Sequence, residues 1–361
     1  MQDAAMATAT IRDVARHAAV SVASASRALN GHASVAPGTR DRVIAAATAL
    51  DYVPHLGARS LSTRRSNSIG VVLPDLFGEF FSEVIRGLDF AAHRRGLQLL
   101  LSNMHGATDE TATAIRAMRG RVDGLIIMSP EADGAFLDRH LPLGLPTVVL
   151  NGRGGTTGQP GGHAGIGIDG RAGAAAAARH LVAQGCTRLA HVRGPHGNAD
   201  ADDRADAFRA TVAALLPTPV RVFDGDFGEQ SGIDAAEAIV AARGGGEVID
   251  GIFCANDIMA IGCMSTLVRA GVSVPHDIAI VGFDDVPVAH YVTPGLTSLG
   301  VDMAALGERT LDLLVAAITQ ATPIAATPEL LIPSLVVRAS SARRPEDMTT
   351  HPGHREKGRL K

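Results

Sequence analysis

TIRDVARHAAVSVASASRALN, residues 10–30, decides the fold of the first part of the chain. Thr10 is placed to cap a helix, with Asp13 three residues on in a capping-box position. Val14, Ala15 and Ala18 then recur at helical spacing. Ala19-Val20 breaks the pattern, and Ser21 is placed to cap a second helix with Ala25 and Leu29 on its inner face. Val22, Ala23, Ser24, Ser26 and Arg27 lie near the start of that helix or on its outer face. Two short helices, the second offering small and polar groups at its N-terminal end, match the helix-turn-helix unit that enters a DNA major groove. An ordinary αα-hairpin is the competing reading, and the residues that follow weigh against it. Val35–Tyr52 supplies a third helix, with Val43, Ile44, Ala47 and Leu50 expected inward, and Pro54 stops it.

The sequence TIRDVARHAAVS…SRALNG…TRDRVIAAATALDYVPHLGARSL resembles, without a gap, the DNA-binding headpiece and hinge of the LacI/GalR family of bacterial transcriptional regulators. Two departures stand out: the family's usual turn glycine is Ala19, and its usual capping serine before Pro37 is Ala36. The resemblance implies a DNA-contacting set of Thr10, Ser21, Val22, Ala23, Ser24, Ser26, Arg27 and Asn30, joined by Arg59, Leu61 and Ser62 of the hinge. It also implies that Leu56–Thr63 becomes helical only when two subunits meet on DNA, where Leu61 wedges into the minor groove and kinks the duplex. Without the resemblance, Leu61 reads as a linker residue packing on the body, because a lone helix this short is marginal in water.

Charge is distributed to the same effect. The chain of 361 residues has a net charge of −4, yet residues 1–65 hold eight Arg and only four Asp. Residues 340–361 carry six basic and three acidic groups, so the body between is strongly acidic. A basic front on an acidic body suits a localised phosphate-contacting surface. Lys occurs only at 357 and 361, leaving phosphate contacts in the headpiece to Arg, amides and hydroxyls.

From Ser68 onward, short aliphatic runs alternate with longer amphipathic ones, starting Ile69–Leu73, Phe81–Arg95, Leu97–Leu101 and continuing to Ile278–Gly282. That alternation implies parallel sheets with helices on both faces. The expected fold is an all-α helix-turn-helix headpiece followed by a doubly wound α/β core of two lobes, periplasmic-binding-protein-like by the family resemblance. Expected boundaries are 1–54 for the headpiece, 55–67 for the hinge and 68–339 for the core. The core divides into one lobe at 68–168 and 300–326 and another at 169–299 and 327–339. Met303–Ile318 is a late helix and Leu330–Val337 a late strand that tie the lobes together. The polar stretch 340–361 reads as a disordered tail. Aromatics make up only 3% of the chain and Trp is absent, which favours aliphatic α/β cores. The odd set Cys186, Cys254 and Cys263 in apolar surroundings reads as buried thiols, not a disulfide framework.

In open α/β sheets ligands sit beyond the carboxyl ends of strands. Those ends here offer Asp75, Phe80 and Phe81, Asn151, Arg204, Phe227, Asn256 and Asp257, and Asp284. Amides and carboxylates hydrogen-bond hydroxyl groups and Phe faces cover C–H surfaces, a mix suited to a sugar or similar polyhydroxylated effector. The family resemblance points to Phe80, Phe81, Arg204, Phe227, Asn256 and Asp284. Gly78-Glu79-Phe80-Phe81 stands where sugar-binding members often have N-P-F-F, so an expected amide is missing. Taken singly, each residue also has a local reading: Asp284 and Asn256 as caps, Arg204 as a surface ion pair, Phe81 as core.

No H-E-x-x-H, G-x-S-x-G or Walker A sequence occurs, and Gly152–Gly167 leaves one strand to enter another, unlike a dinucleotide fingerprint. His351 and His354 fall in the tail, and no metal or cofactor is expected. MQDAAMATAT has neither a basic n-region nor an apolar h-region, so a cytoplasmic protein, on the nucleoid when bound to DNA, is expected. The expected function is that of a non-catalytic, sequence-specific repressor: a homodimer on a pseudo-palindromic operator, controlled by a small effector. The alternative is a cytosolic sugar-binding module without operator binding.

Overall fold

The computed structural model describes residues 9–52, 65–76, 78–104, 108–128, 134–142, 144–151, 164–319 and 328–343. The chain separates into two compact units, one ending at Ser68 and the other starting at Ile69.

The first unit holds α1 (Ile11–His17), α2 (Val22–Leu29) and α3 (Pro37–Ala49). The Asp13 carboxylate accepts both the Thr10 amide at 3.0 Å and the Thr10 hydroxyl at 2.7 Å, which holds its pKa below the usual carboxylate range. Ser21 Oγ accepts the Ser24 amide at 3.1 Å and so caps α2. Ala19, in the turn between them, sits at φ +52°. Val14, Ala15, Ala18, Ala25, Ala28, Val43, Ala46 and Ala47 form a small core. On α2 Ala25 and Ala28 are buried and Leu29 packs half-buried against the same core, so the expected inner face holds. One inward assignment is corrected. On α3 Ile44 is 49% exposed, and Ala46 joins Val43 and Ala47 inside. Residues 43, 46, 47 and 50 follow one stripe at 3.6 residues per turn, and Ile44 steps off it.

In the second unit, β1 (Ser68–Leu73), β2 (Gln98–Asn103), β3 (Gly124–Ile127), β4 (Thr147–Leu150) and β5 (Ala164–Ile168) build one sheet. Between them run α4 (Glu79–Arg94), α5 (Thr108–Met118) and α6 (Gly134–His140). After α7 (Gly170–Ala183), a second sheet collects β6 (Leu189–Val192), β7 (Arg221–Phe223), β8 (Gly251–Cys254), β9 (Ala279–Phe283) and β10 (Thr297–Gly300). Its helices are α8 (Ala199–Leu215), α9 (Glu229–Gly244), α10 (Asp257–Arg269) and the single turn α11 (Val288–Tyr291). The chain then returns to the first lobe as α12 (Met303–Thr319), which packs on α4, β3, β4 and β5.

Two short strands finish the weave. β11 (Glu329–Leu331) pairs in parallel with β5, and β12 (Ser334–Val336) pairs antiparallel with β10. The sheet orders are therefore β11-β5-β4-β3-β1-β2 and β12-β10-β9-β8-β6-β7. β1, β3, β4, β5, β8 and β9 are buried along their whole length, as strands covered on both faces must be. The chain passes between the lobes at Asp169, at Val301–Asp302 and at Ile332–Pro333. This corrects the expected boundary at 327 and the expected continuous strand Leu330–Val337. Ile332-Pro333 splits that run, because proline cannot donate into a ladder, and each half joins a different sheet.

Helix pairs approach closely through glycine. A Cβ at Gly87 of α4 would lie 2.0 Å from the Ala304 carbonyl oxygen of α12, and one at Gly232 of α9 would lie 2.1 Å from the Met259 carbonyl of α10.

The expected tail also starts too early. Ser340 and Ser341 are fully buried on the second lobe. Ser340 Oγ donates to the Ile280 carbonyl at 2.7 Å and accepts the Thr297 amide at 2.8 Å. The Arg343 guanidinium donates to the Pro275 and Asp250 carbonyls. Polar residues without apolar periodicity are ordered here because they complete the hydrogen bonding of β9 and β10. Residues 344–361 lie outside the described ones. Cys186, Cys254 and Cys263 are free and buried, with burial pushing the Cys186 thiol up to about 12. Among the described residues no helix is long and apolar enough to cross a membrane, and no cluster of His, Cys, Asp and Glu is arranged to hold a metal.

Candidate functional site

Two surfaces carry the expected residues, one in each unit. In the first unit, Thr10 and Ser21 are the N-caps of α1 and α2, and Asn30 is the C-cap of α2. Ser21, Val22, Ala23 and Arg27 are exposed, while Ser24, Ser26 and Asn30 are half-buried. Val22 leaves 44% of its surface in water at the first turn of a helix, an exposure its own fold does not require. The Arg27 Nε donates to the Ala23 carbonyl at 3.2 Å, laying the guanidinium along the same exposed face. Arg59, Leu61 and Ser62 lie outside the described residues.

In the second unit a cavity of about 260 Å³ opens between the lobes. Asp75, Phe80, Phe81 and Asn151 reach it from the first lobe; Arg204, Phe227, Asn256 and Asp284 reach it from the second. Eight of the nine expected effector residues therefore meet in one place. Phe80 and Phe81 stand edge to face at the start of α4, with ring centroids 5.2 Å apart. Asn151, at the end of β4, turns its Oδ1 onto the Ile168 amide at 3.0 Å. Asn256 caps α10 through Oδ1 on the Met259 amide and donates from Nδ2 to the Phe227 carbonyl at 2.9 Å. Its capping role and its place at the cavity coexist.

Asp257 is the exception. It is fully buried behind the cavity, where Oδ2 accepts the Val286 amide at 2.9 Å and Oδ1 accepts the Ser298 hydroxyl at 2.6 Å. Burial, and then the neighbouring Asp284, raise its pKa well above the carboxylate range. It anchors the loop after β9 and does not face the ligand space.

Arg204 and Asp284 form the polar centre. Arg204 is 4% exposed; its Nη1 donates to the Ala255 carbonyl at 2.6 Å and its guanidinium carbon lies 3.8 Å from the Phe283 ring centroid. Nη2 stands 3.8 Å from Asp284 Oδ1, an ion pair longer than a hydrogen bond. Asp284 is 7% exposed, and this Oδ1 has no hydrogen-bond partner. Burial raises its pKa to about 7, outweighing the opposing pull of Arg204. Asn151, Phe227 and Asp284 adopt φ values of +48°, +71° and +107°. Left-handed backbone at three non-glycine residues of one cavity is strain concentrated where binding would use it.

Several lining residues escaped the sequence reading: Asn198, Asp200 and Asp226 contribute polar groups, and Pro74, Met128 and Pro195 contribute apolar ones. All follow strand ends, the one signal that could have found them. Glu79 performs a different task. From the first turn of α4 in one lobe, its Oε2 accepts the Val288 amide of α11 in the other at 2.8 Å.

A helix-turn-helix unit ahead of two α/β lobes with a cavity between them is the build of a ligand-responsive DNA-binding regulator. Residues 10–55 match the model for bacterial regulatory proteins of the lacI family, and residues 178–341 match a periplasmic binding protein-like domain. The chain is 32% identical to the HTH-type transcriptional regulator GalR of Salmonella typhimurium, over 92% of this chain and 96% of that one. It is 32% identical to the ribose operon repressor of Halalkalibacterium halodurans, over 85% and 89%. The crystal structure of the Lac repressor dimer bound to operator and the anti-inducer ONPF superposes with a TM-score of 0.82 at 26% identity, covering 93% of this chain and all of that one. The chain belongs to the lacI family of DNA-binding transcriptional regulators.

Proposed function

We propose that this regulator is a cytoplasmic homodimeric repressor whose grip on a pseudo-palindromic operator is set by a sugar or sugar derivative in the interlobe cavity. The observation that carries the reading is the buried Asp284 Oδ1, 3.8 Å from Arg204 and without a hydrogen bond, in a cavity that both lobes line and Phe80, Phe81 and Phe227 flank. A carboxylate oxygen with nothing to accept is an open position for a ligand hydroxyl. The relative named a ribose operon repressor is consistent with that class. The exposed face of α2 reads the major groove, and Leu61 of the hinge acts at the centre of the operator. Ligand closes the lobes and changes hinge spacing, so ligand and operator bias one equilibrium. The named relatives are transcriptional regulators, which supports reading the cavity as a binding site.

The test is a gel-shift titration with the full chain. Arg204→Ala should keep salt-dependent operator binding and lose at least tenfold in effector sensitivity. A normal response from that variant would remove the pocket from the mechanism. Loss of operator binding to Ala substitutions of Val22 and Arg27 would separate a regulator from a sugar-binding module.

A further inference from the structure

The first turn of α2 carries a side chain that its own fold does not use. Ser21, Val22 and Ala23 are exposed there, and Val22 leaves 44% of its surface in water. A β-branched residue at an exposed helical position gives up helix propensity relative to alanine, and here it gains no burial in return. By the helical repeat, Val22, Ala23, Ser26, Arg27 and Asn30 share one outward face, opposite the buried Ala25 and Ala28.

The polar groups around that turn are engaged within the helix. Ser21 and Ser24 turn their hydroxyls on each other at 2.9 Å, and Ser21 Oγ also accepts the Ser24 amide. Asn30 Nδ2 donates to Ser26 Oγ at 3.4 Å. Arg27 Nε is drawn back to the Ala23 carbonyl, leaving its terminal nitrogens to donate elsewhere. Reading adenine or guanine by paired hydrogen bonds takes Asn, Gln, Arg or Lys, and Ser21–Ser24 contains none of them. What the first turn offers outward is the methyl groups of Val22 and Ala23. In the major groove the apolar feature of a base pair is the C5-methyl of thymine.

We infer that α2 reads its operator by methyl-to-methyl contact: Val22, with Ala23 beside it, packs on the 5-methyl group of a thymine in each half-site, and polar contacts fall to Arg27. This rests on the exposed face of α2 being the groove-facing one and adds the base feature that this face selects. Neither side chain hydrogen-bonds, so thymine is told from cytosine by its methyl group and not by O4. 5-Methylcytosine, with the same methyl on the same carbon, therefore stands in for thymine at these positions.

The experiment uses the full chain and the double-stranded site that it enriches from a random DNA pool, with affinities measured by gel shift at one fixed salt concentration. Each thymine is replaced in turn, in both half-sites together, by deoxyuridine, which removes the methyl and keeps the pairing. A buried methyl contact is worth about fourfold in affinity, so at one or two positions per half-site the double replacement should weaken binding by about tenfold. Val22→Ala should bind the thymine site more weakly with little change in melting temperature, and should lose most of the discrimination against uracil at those positions. Cytosine placed there should bind poorly, and 5-methylcytosine should recover most of the loss. A site in which no thymine is sensitive to uracil overturns the methyl contact. A uracil penalty of equal size in the native chain and in Val22→Ala overturns Val22 as its reader. Failure of 5-methylcytosine to recover binding overturns the claim that the methyl alone is read. If Val22→Ala and Arg27→Ala both bind the selected site as the native chain does, the groove-facing assignment of α2 fails and takes the methyl rule with it. Weaker binding by both without uracil sensitivity leaves that assignment standing and removes only the methyl rule.

Discussion

Asp284 shows how one residue joins stability to recognition. Its carboxyl titrates near 3.8 in an unfolded chain and is pushed up to about 7 in the fold, chiefly by burial. The folded state therefore holds a proton that the unfolded chain has already released between those values. Its contribution to stability is fully present below 3.8 and is lost as pH rises through about 7. Asp284→Asn removes the titration and keeps the shape. The melting temperature of the variant minus that of the native chain should grow as pH is raised from about 5 to about 8. A difference that stays constant across a pH series would show that the carboxyl is ionised throughout. Hydroxyl donors favour the ionised form, so a polyol ligand should bind more tightly above pH 7 than below it.

At the scale of elements, the headpiece is assembled from short helices with small core residues, so its turns and caps decide its stability. Ala19 holds φ +52° in the turn between α1 and α2, and Ala36 heads α3 without a side-chain hydrogen bond. A non-glycine residue in left-handed backbone costs about 1–2 kcal/mol, and glycine returns part of that as chain entropy. Ala19→Gly should stabilise the headpiece by about 1 kcal/mol, seen as roughly fivefold slower hydrogen exchange of α1–α3 amides in the full chain. Unchanged or faster exchange would mean the turn is relaxed with alanine. The turn and both N-caps were legible in the sequence because each rests on local chemistry. The β/α alternation was legible for the same reason: six of the strands are short aliphatic runs buried from end to end. β10 was not, since a strand of four residues beginning Thr-Ser carries too little pattern to separate it from a loop, and β11 and β12 were read as one strand because the aliphatic run 330–337 hides the break at Ile332-Pro333. Ser340 and Ser341 were misread because polar residues that complete a sheet look like tail until their partners at Ile280 and Thr297 are known.

The whole molecule turns on how two lobes share one cavity, and here the sequence pointed to the loops that line it but not to the placement of every residue in them. Strand ends identified where Asp75, Phe80, Asn151, Arg204, Phe227 and Asp284 would gather. They could not reveal that Asp257, first residue of α10, faces the loop behind, or that Asp200 and Asp226 would line the cavity. Glu79 is the sharpest case. It stands beside Gly78, where the family's N-P-F-F motif often supplies an amide, in the position of the motif's proline, and the motif's departure reads as a lost contact. In the fold it makes a new one, accepting the Val288 amide across the cleft at 2.8 Å. A hydrogen bond to a charged group between lobes favours whichever arrangement makes it, which on the proposed mechanism is the one that ligand closes. Such a bond is worth about 1.5–3 kcal/mol, and a loss of about 1.4 kcal/mol is tenfold in an equilibrium. Glu79→Ala should therefore shift the midpoint of an effector titration, read by operator binding, about tenfold to higher concentration. Glu79→Gln keeps an acceptor oxygen and should recover most of the response. Operator affinity without effector should change far less than the midpoint. If Glu79→Ala leaves the midpoint in place, closure is driven by the ligand's own contacts with Arg204 and Asp284, and the Glu79–Val288 bond only accompanies it.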